Sequence, residues 1–212
     1  MQSLVVRLAD SLERRLARAV FWLWVPVALL VGASLLATHW YKLPLPDRHD
    51  ERLLASLAAL RTTEEQQEWM VVHVMYASCK CSREVVRHLV EGPRPAGIAE
   101  RVVLVGSAPE VDALLAASSF TVIRVSPRQL ADRFAIEAAP LLLVVDPQGV
   151  LRYRGGYSER KQATDLRDVE IIVGLLADGE VPTLPLFGCA VSEQLRGLLD
   201  PFGLRRLDEQ AP

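Results

Sequence analysis

Met70–Val90 reads MVVHVMYASCKCSREVVRHLV, and this stretch decides the fold. The apolar run Met70–Tyr76 predicts a buried strand, and Ser82–Val90 carries helical spacing of its apolar residues. Cys79 and Cys81, two of the chain's three cysteines, fall at the junction. A thiolate at a helix N-terminus is favoured by the unpaired N–H groups and the macrodipole, and Lys80 and Arg83 add positive charge. Thiols so close can close a small disulfide ring or grip a soft metal. Such a ring departs from relaxed disulfide geometry and is the more easily reduced, which suits exchange or isomerisation. Cys79 is less tied to the helix body, so it is expected to attack and Cys81 to resolve. The bland alternative is an inert pair or a local staple.

Strand and helix patterns alternate downstream: strand Arg101–Gly106, helix Glu110–Ala117, strand Thr121–Val125 and helix Arg128–Phe134. Leu141–Asp146 and Val150–Arg154 predict a hairpin across Asp146-Pro147-Gln148-Gly149, with Asp146 as a turn residue. Asp165–Ala177 predicts an amphipathic helix. This order points to an α/β layer fold.

The strand-to-cysteine junction, the βαβ crossover, Ala138-Ala139-Pro140 before a strand, and the Asp-Pro-x-Gly hairpin follow one another in order. Together they resemble the thioredoxin-like superfamily over residues 65–180. The C-x-C pair, Tyr153-Arg154-Gly155-Gly156-Tyr157 and the distal Phe187-Gly188-Cys189-Ala190 resemble membrane-anchored bacterial proteins of that superfamily, the RedB-like ones among them. The resemblance implies a central mixed sheet with flanking helices, and a cis proline at Pro140 facing the cysteines. It also implies that Ala139 and Pro140 line a substrate groove. The chain departs from thioredoxin itself in having C-x-C for C-x-x-C, which leaves open which cysteine attacks. Cys189 is either a third thiol or a buried small hydrophobe.

From Ala19 to Tyr41 no residue carries a fixed charge, a length that suits one transmembrane helix. Trp22, Trp24, Trp40 and Tyr41 lie near its ends, as interfacial aromatics do. Arg14, Arg15 and Arg18 precede it, and Lys42 and Arg48 follow. The bias favours a cytoplasmic N-terminus and a domain on the periplasmic side of a bacterial inner membrane. An uncleaved anchor is expected rather than a cleaved signal, because the run exceeds a typical signal core and no A-x-A site follows it. The organisation read from this is an amphipathic segment over 1–18 (Leu4, Leu8, Leu12 and Leu16 on one stripe), a span over 19–41 and a linker or membrane-proximal helix over 42–64. A thioredoxin-like domain over 65–180 and a Cys189-bearing extension over 181–212 complete it.

A net charge of −2 gives no basic footprint for nucleic acid. No phosphate loop, no H-E-x-x-H and no defensible Ser-His-Asp order is present. The expected activity is thiol–disulfide exchange on an exported protein or a membrane-bound redox partner, with no cofactor. One alternative is a copper-binding thiol protein using Cys79, Cys81 and His88. Another is a non-catalytic interaction module.

Overall fold

The computed structural model describes residues 2–39, 42–161 and 165–200, with side chains described over 15–33 in the first of these ranges. The leucine stripe at 4, 8 and 12, the aromatics Trp40 and Tyr41, and the end of the extension at 201–212 lie outside what is described.

The chain divides into two units, 1–41 and 42–212. The first contains helix α1 (Gln2–His39), which runs through Pro26. Within it Arg15–Ala33 has a mean hydropathy of 1.9 and is long and apolar enough to cross a membrane.

In the second unit the order is α2 (Glu51–Leu60), β1 (Trp69–Tyr76), α3 (Lys80–Glu91), β2 (Ile98–Val105), α4 (Pro109–Ala116), β3 (Thr121–Val125) and α5 (Pro127–Phe134). Then come β4 (Ala138–Ala139), β5 (Leu141–Val145), β6 (Leu151–Gly155), α6 (Asp168–Leu176), β7 (Cys189–Ala190) and α7 (Glu193–Leu199). The expected strands and helices are all present, and α6 starts three residues later than predicted. The backbone there is engaged elsewhere: the Arg167 N–H donates to the Tyr157 carbonyl at 2.8 Å.

The main sheet has the order β3-β2-β1-β5-β6 among the described residues. β1 lies at its centre, parallel to β2 and antiparallel to β5. A strand buried on both faces needs no polar alternation, which is why β1 reads as a continuous apolar run. Its side chains still part by period two. Met70, Val72, Val74 and Tyr76 enter one cluster with Leu53 and Leu57 of α2 and Leu130 and Phe134 of α5. Val71 and Met75 enter the other with Val85, Val86 and Leu89 of α3 and Ile171 and Ile172 of α6.

Local signals set the helix ends. The Asp50 carboxylate caps α2 by accepting from the Arg52 and Leu53 N–H groups. Ser126 and Gln129 form a reciprocal capping box at α5, with Pro127 beginning the helix. The stretch after the apolar span, open from sequence between spacer and first helix, belongs to the domain. Leu53 is fully buried, and the Ser56 hydroxyl donates to the Arg133 carbonyl at 2.7 Å.

Candidate functional site

Tyr76 ends β1, and the chain turns directly into α3. The Ser82 hydroxyl accepts from the Tyr76 N–H at 3.1 Å and ties the strand end to the first helical turn. Cys79 is the N-cap of α3, in extended conformation (φ −84°, ψ 122°) and with no side-chain cap bond. Its carbonyl accepts the first helical bond, from Arg83 N–H at 3.0 Å. The residue is 1 % exposed.

Cys79 is joined by a disulfide to Cys189, 110 residues away, with a Cα–Cα distance of 6.1 Å. This corrects the expectation of a Cys79–Cys81 bond: Cys81 is a free, half-buried thiol. The reason is geometric. Lys80 begins the helix, and side chains two apart at a helix start do not face each other. Cys189 reaches Cys79 instead because β7 pairs antiparallel with β4, with Cys189 opposite Ala139 and Ala190 opposite Ala138. The next peptide bond, Ala139-Pro140, is cis, as the resemblance implied. Val191 and Ser192 N–H groups both donate to the Glu137 carbonyl, at 2.7 and 3.1 Å, and extend the contact past the ladder.

Beside this bond lies a cavity of about 610 Å³, lined by Lys80, Cys81, His88, Pro140, Tyr157 and Phe187 among others. Cys81 and Pro140 therefore share one cleft. Arg154 is not part of this lining and donates to the Pro46 carbonyl. Asp146 is the turn residue expected: its Oδ1 accepts from Val150 N–H at 2.8 Å.

The copper alternative, Cys79 with Cys81 and His88, is not assembled. The Cys79 sulfur is bonded to Cys189, and His88 Nε2 is 2.8 Å from Asp168 Oδ1. His73 and Met75, the other residues near the pair with ligand chemistry, belong to the face of β1 opposite Cys79. Met75 packs in the cluster with α3 and α6, whereas Cys79 packs with α2 and α5.

His73 and His88 belong to a largely buried polar chain that has little local signature. Tyr157 is buried, and its hydroxyl is 2.9 Å from His73 Nδ1. His73 Nε2 is 3.2 Å from Glu100 Oε1. Glu100 accepts two bonds from Arg94, and Arg94 Nη1 donates to Asp168 Oδ2 at 2.5 Å. Asp168 then meets His88. A carboxylate only accepts, so His73 donates to Glu100 from Nε2, and Nδ1 shares a hydrogen bond with the Tyr157 hydroxyl. Both ends of the chain, Tyr157 and His88, line the cavity.

Burial alone would raise the Glu100 carboxyl, but hydrogen bonds from His73 and Arg94 overcome it and hold the group down at about 2. Burial likewise opposes ionisation of Asp168, and Arg94 outweighs it and lowers that carboxyl too. Burial pushes the Tyr157 hydroxyl well up, so it stays neutral. A carboxyl depressed on folding stabilises the domain above its ordinary value and loses that contribution as pH falls through the folded value. For Glu100 the window runs from 4.5 down to about 2, and the loss is about 3 kcal/mol. Urea unfolding at pH 6, 4 and 2.5 should show this decline, and Glu100→Gln should flatten it. An unchanged acid slope in the variant would refute the assignment.

No family model matches the sequence, and no curated protein matches it. Among solved structures, an uncharacterized conserved protein from Geobacillus kaustophilus is similar at 18 % identity and a TM-score of 0.47, over 59 % of this chain and 77 % of that one. A hypothetical protein from Sinorhizobium meliloti 1021 is similar at 15 % identity and TM-score 0.42, over 71 % of this chain and 90 % of that one. A thioredoxin-like superfamily protein is similar at 18 % identity and TM-score 0.35, over 68 % and 99 %. The chain's own topology carries the fold assignment. A mixed five-stranded sheet has a parallel β1–β2 pair and an antiparallel β5–β6 hairpin, α3 opens on a cysteine after the central strand, and a cis proline precedes β5. The domain has the thioredoxin-like fold.

Proposed function

We propose that this is a membrane-anchored thiol–disulfide exchange protein acting on exported proteins, with Cys79 and Cys189 as the exchanging pair and Cys81 as a third thiol. One observation carries the reading: the Cys79–Cys189 bond joins the N-terminus of α3 to the residue paired with Ala139, next to cis Pro140. The third thiol, Cys81, stands free in the adjoining cavity.

The chemistry balances as follows. Cys79 is buried and Cys189 half-buried, so an incoming client thiolate attacks the Cys189 sulfur. A client–Cys189 mixed disulfide forms, and Cys79 leaves as a thiolate at the α3 N-terminus, where the helix favours negative charge. A second client thiolate then displaces Cys189, which leaves the client oxidised and the pair reduced. The reduced pair can also act as reductant by a different order of steps: with Cys189 released from it, the Cys79 thiolate attacks a client disulfide, the client's other sulfur leaves as a thiolate, and Cys189 resolves the mixed disulfide, in the role first expected of Cys81. The relative potentials of pair and client set the direction. The apolar helix and the arginines before it support an inner-membrane anchor with the domain outside. The tether confines encounters to partners at the same membrane.

Redox titration of the full-length protein in detergent, with thiol trapping and mass spectrometry, tests this. The Cys79–Cys189 bond should open and close at one defined potential. Cys81→Ser should keep that bond, and Cys79→Ser should abolish exchange. A bond that stays closed over the whole accessible range sinks the reading. Full cellular function in Cys79→Ser would assign the domain as an interaction module instead.

A further inference from the structure

β4 is two residues long and belongs to a separate two-stranded sheet whose other strand is β7. The edge beside the cis proline is therefore occupied by the chain's own tetrapeptide Phe187-Gly188-Cys189-Ala190. Phe187 lines the cavity with Pro140 and Tyr157. Cys189 takes the register opposite Ala139 and bonds Cys79, and Ala190 pairs with Ala138. Gly188 is the tightest point. A Cβ there would fall well inside van der Waals contact of the Ala139 carbonyl oxygen and 2.6 Å from Pro140 Cδ. Its backbone is not in the left-handed region, so space and not conformation requires the glycine.

We infer that Phe187–Ala190 is a resident copy of the client. The β4 edge is built to receive an extended peptide with an aromatic residue, then glycine, then the reacting cysteine, then a small residue. This inference rests on the exchange reading above and names its substrate class. A dithiol reductant opens the Cys79–Cys189 bond, passing two electrons to the pair and becoming a disulfide itself. The segment is then held only by its short ladder and neighbouring contacts. An incoming peptide of the same pattern takes its place by strand addition: the backbone supplies register and the cavity accepts the aromatic side chain. Any residue other than glycine before the cysteine meets the Ala139 carbonyl and cannot seat the sulfur at Cys79.

The test uses full-length protein in detergent carrying Cys81→Ser and Cys189→Ser, so that Cys79 is the one thiol left to react. Its substrates are the peptides LFGCAV and LFACAV, each activated at cysteine as a mixed disulfide with thionitrobenzoate. Attack by the Cys79 thiolate on the peptide sulfur releases the yellow thiolate. The glycine peptide should react at least about tenfold faster than the alanine peptide, the equivalent of an overpacking cost at the lower end of its range. Equal rates overturn the inference. The symmetric disulfide of thionitrobenzoate is the third substrate, and reaction of Cys79 with it but with neither peptide also overturns the inference and leaves the exchange reading standing. No reaction with any of the three, in a variant that unfolds cooperatively, overturns both. The same two peptides on dithiol-reduced wild-type protein, with the adduct at Cys79 quantified by mass spectrometry, give the comparison if the double variant does not fold. There too a faster adduct with the glycine peptide supports the inference, and equal adduct overturns it.

Discussion

Cys189→Ser should lower the unfolding free energy of the domain by about 4–5 kcal/mol, the chain-entropy value for opening a loop of this length. The bond spans 110 residues, which take in most of the sheet and helices α3 to α6. It also fixes the C-terminal segment, whose Leu186, Val191 and Leu195 are buried in the core that contains Cys79. Losing the cross-link enlarges the unfolded ensemble and frees that segment to detach first. Urea unfolding of oxidised wild type, dithiol-treated wild type and Cys189→Ser measures the effect. Reduced wild type and the variant should agree, while Cys81→Ser should stay within about 1 kcal/mol of wild type, as a half-buried residue outside the bond. A drop below about 1 kcal/mol on reduction, or a larger effect from Cys81→Ser than from Cys189→Ser, would contradict the pairing.

Arg94→Met should cost about 3–5 kcal/mol, the usual penalty for removing one member of a buried ionic cluster. Arg94 is the hinge of the polar chain beneath the cavity. It bonds both Glu100 and Asp168, and the Asp168 side chain is fully buried. Without the guanidinium two carboxylates face each other across a desolvated gap. Asp168 then keeps its hydrogen bond with His88, and Glu100 keeps its hydrogen bond with His73. One or both are driven toward the protonated form, so the cost should be largest near neutral pH and should shrink as pH falls, because the folded variant then binds more protons than the unfolded chain. Adding Glu100→Gln and Asp168→Asn to Arg94→Met should restore part of the loss, because the charges that needed pairing are gone. Thermal and urea denaturation of the single and triple variants decide the matter. A single variant within about 1 kcal/mol of wild type would show the cluster to be solvated in solution.

Much of the fold could be read locally. The apolar run at 70–76, the helical spacing after Cys81 and the turn at 146–149 each depend on neighbours a few residues away. Their physical causes, period and turn chemistry, are written into contiguous sequence. The position of Cys79 at a helix start was legible for the same reason, and Pro140 stood out through its place before a strand. Tyr157 was not legible. It sits next to two glycines and an exposed-looking hairpin, and only the return of the chain toward α6 buries it against His73. Asp168 gave no signal either, since an acidic residue opening a helix is ordinary, and its burial comes from α3 and Arg94 meeting it from outside its own helix.

The sequence by itself determined a chain with an apolar N-terminal helix and an α/β domain whose central strand delivers a cysteine to a helix N-terminus. Those are properties of short-range periodicity and local backbone chemistry. Only the tertiary structure decided which thiol Cys79 meets. The nearer cysteine in sequence is turned away by the helix that begins between them. The farther one is brought in because two short segments, Ala138–Ala139 and Cys189–Ala190, satisfy each other's backbone hydrogen bonds at the edge beside Pro140. Such pairing depends on the path of the whole intervening chain, which no local pattern encodes.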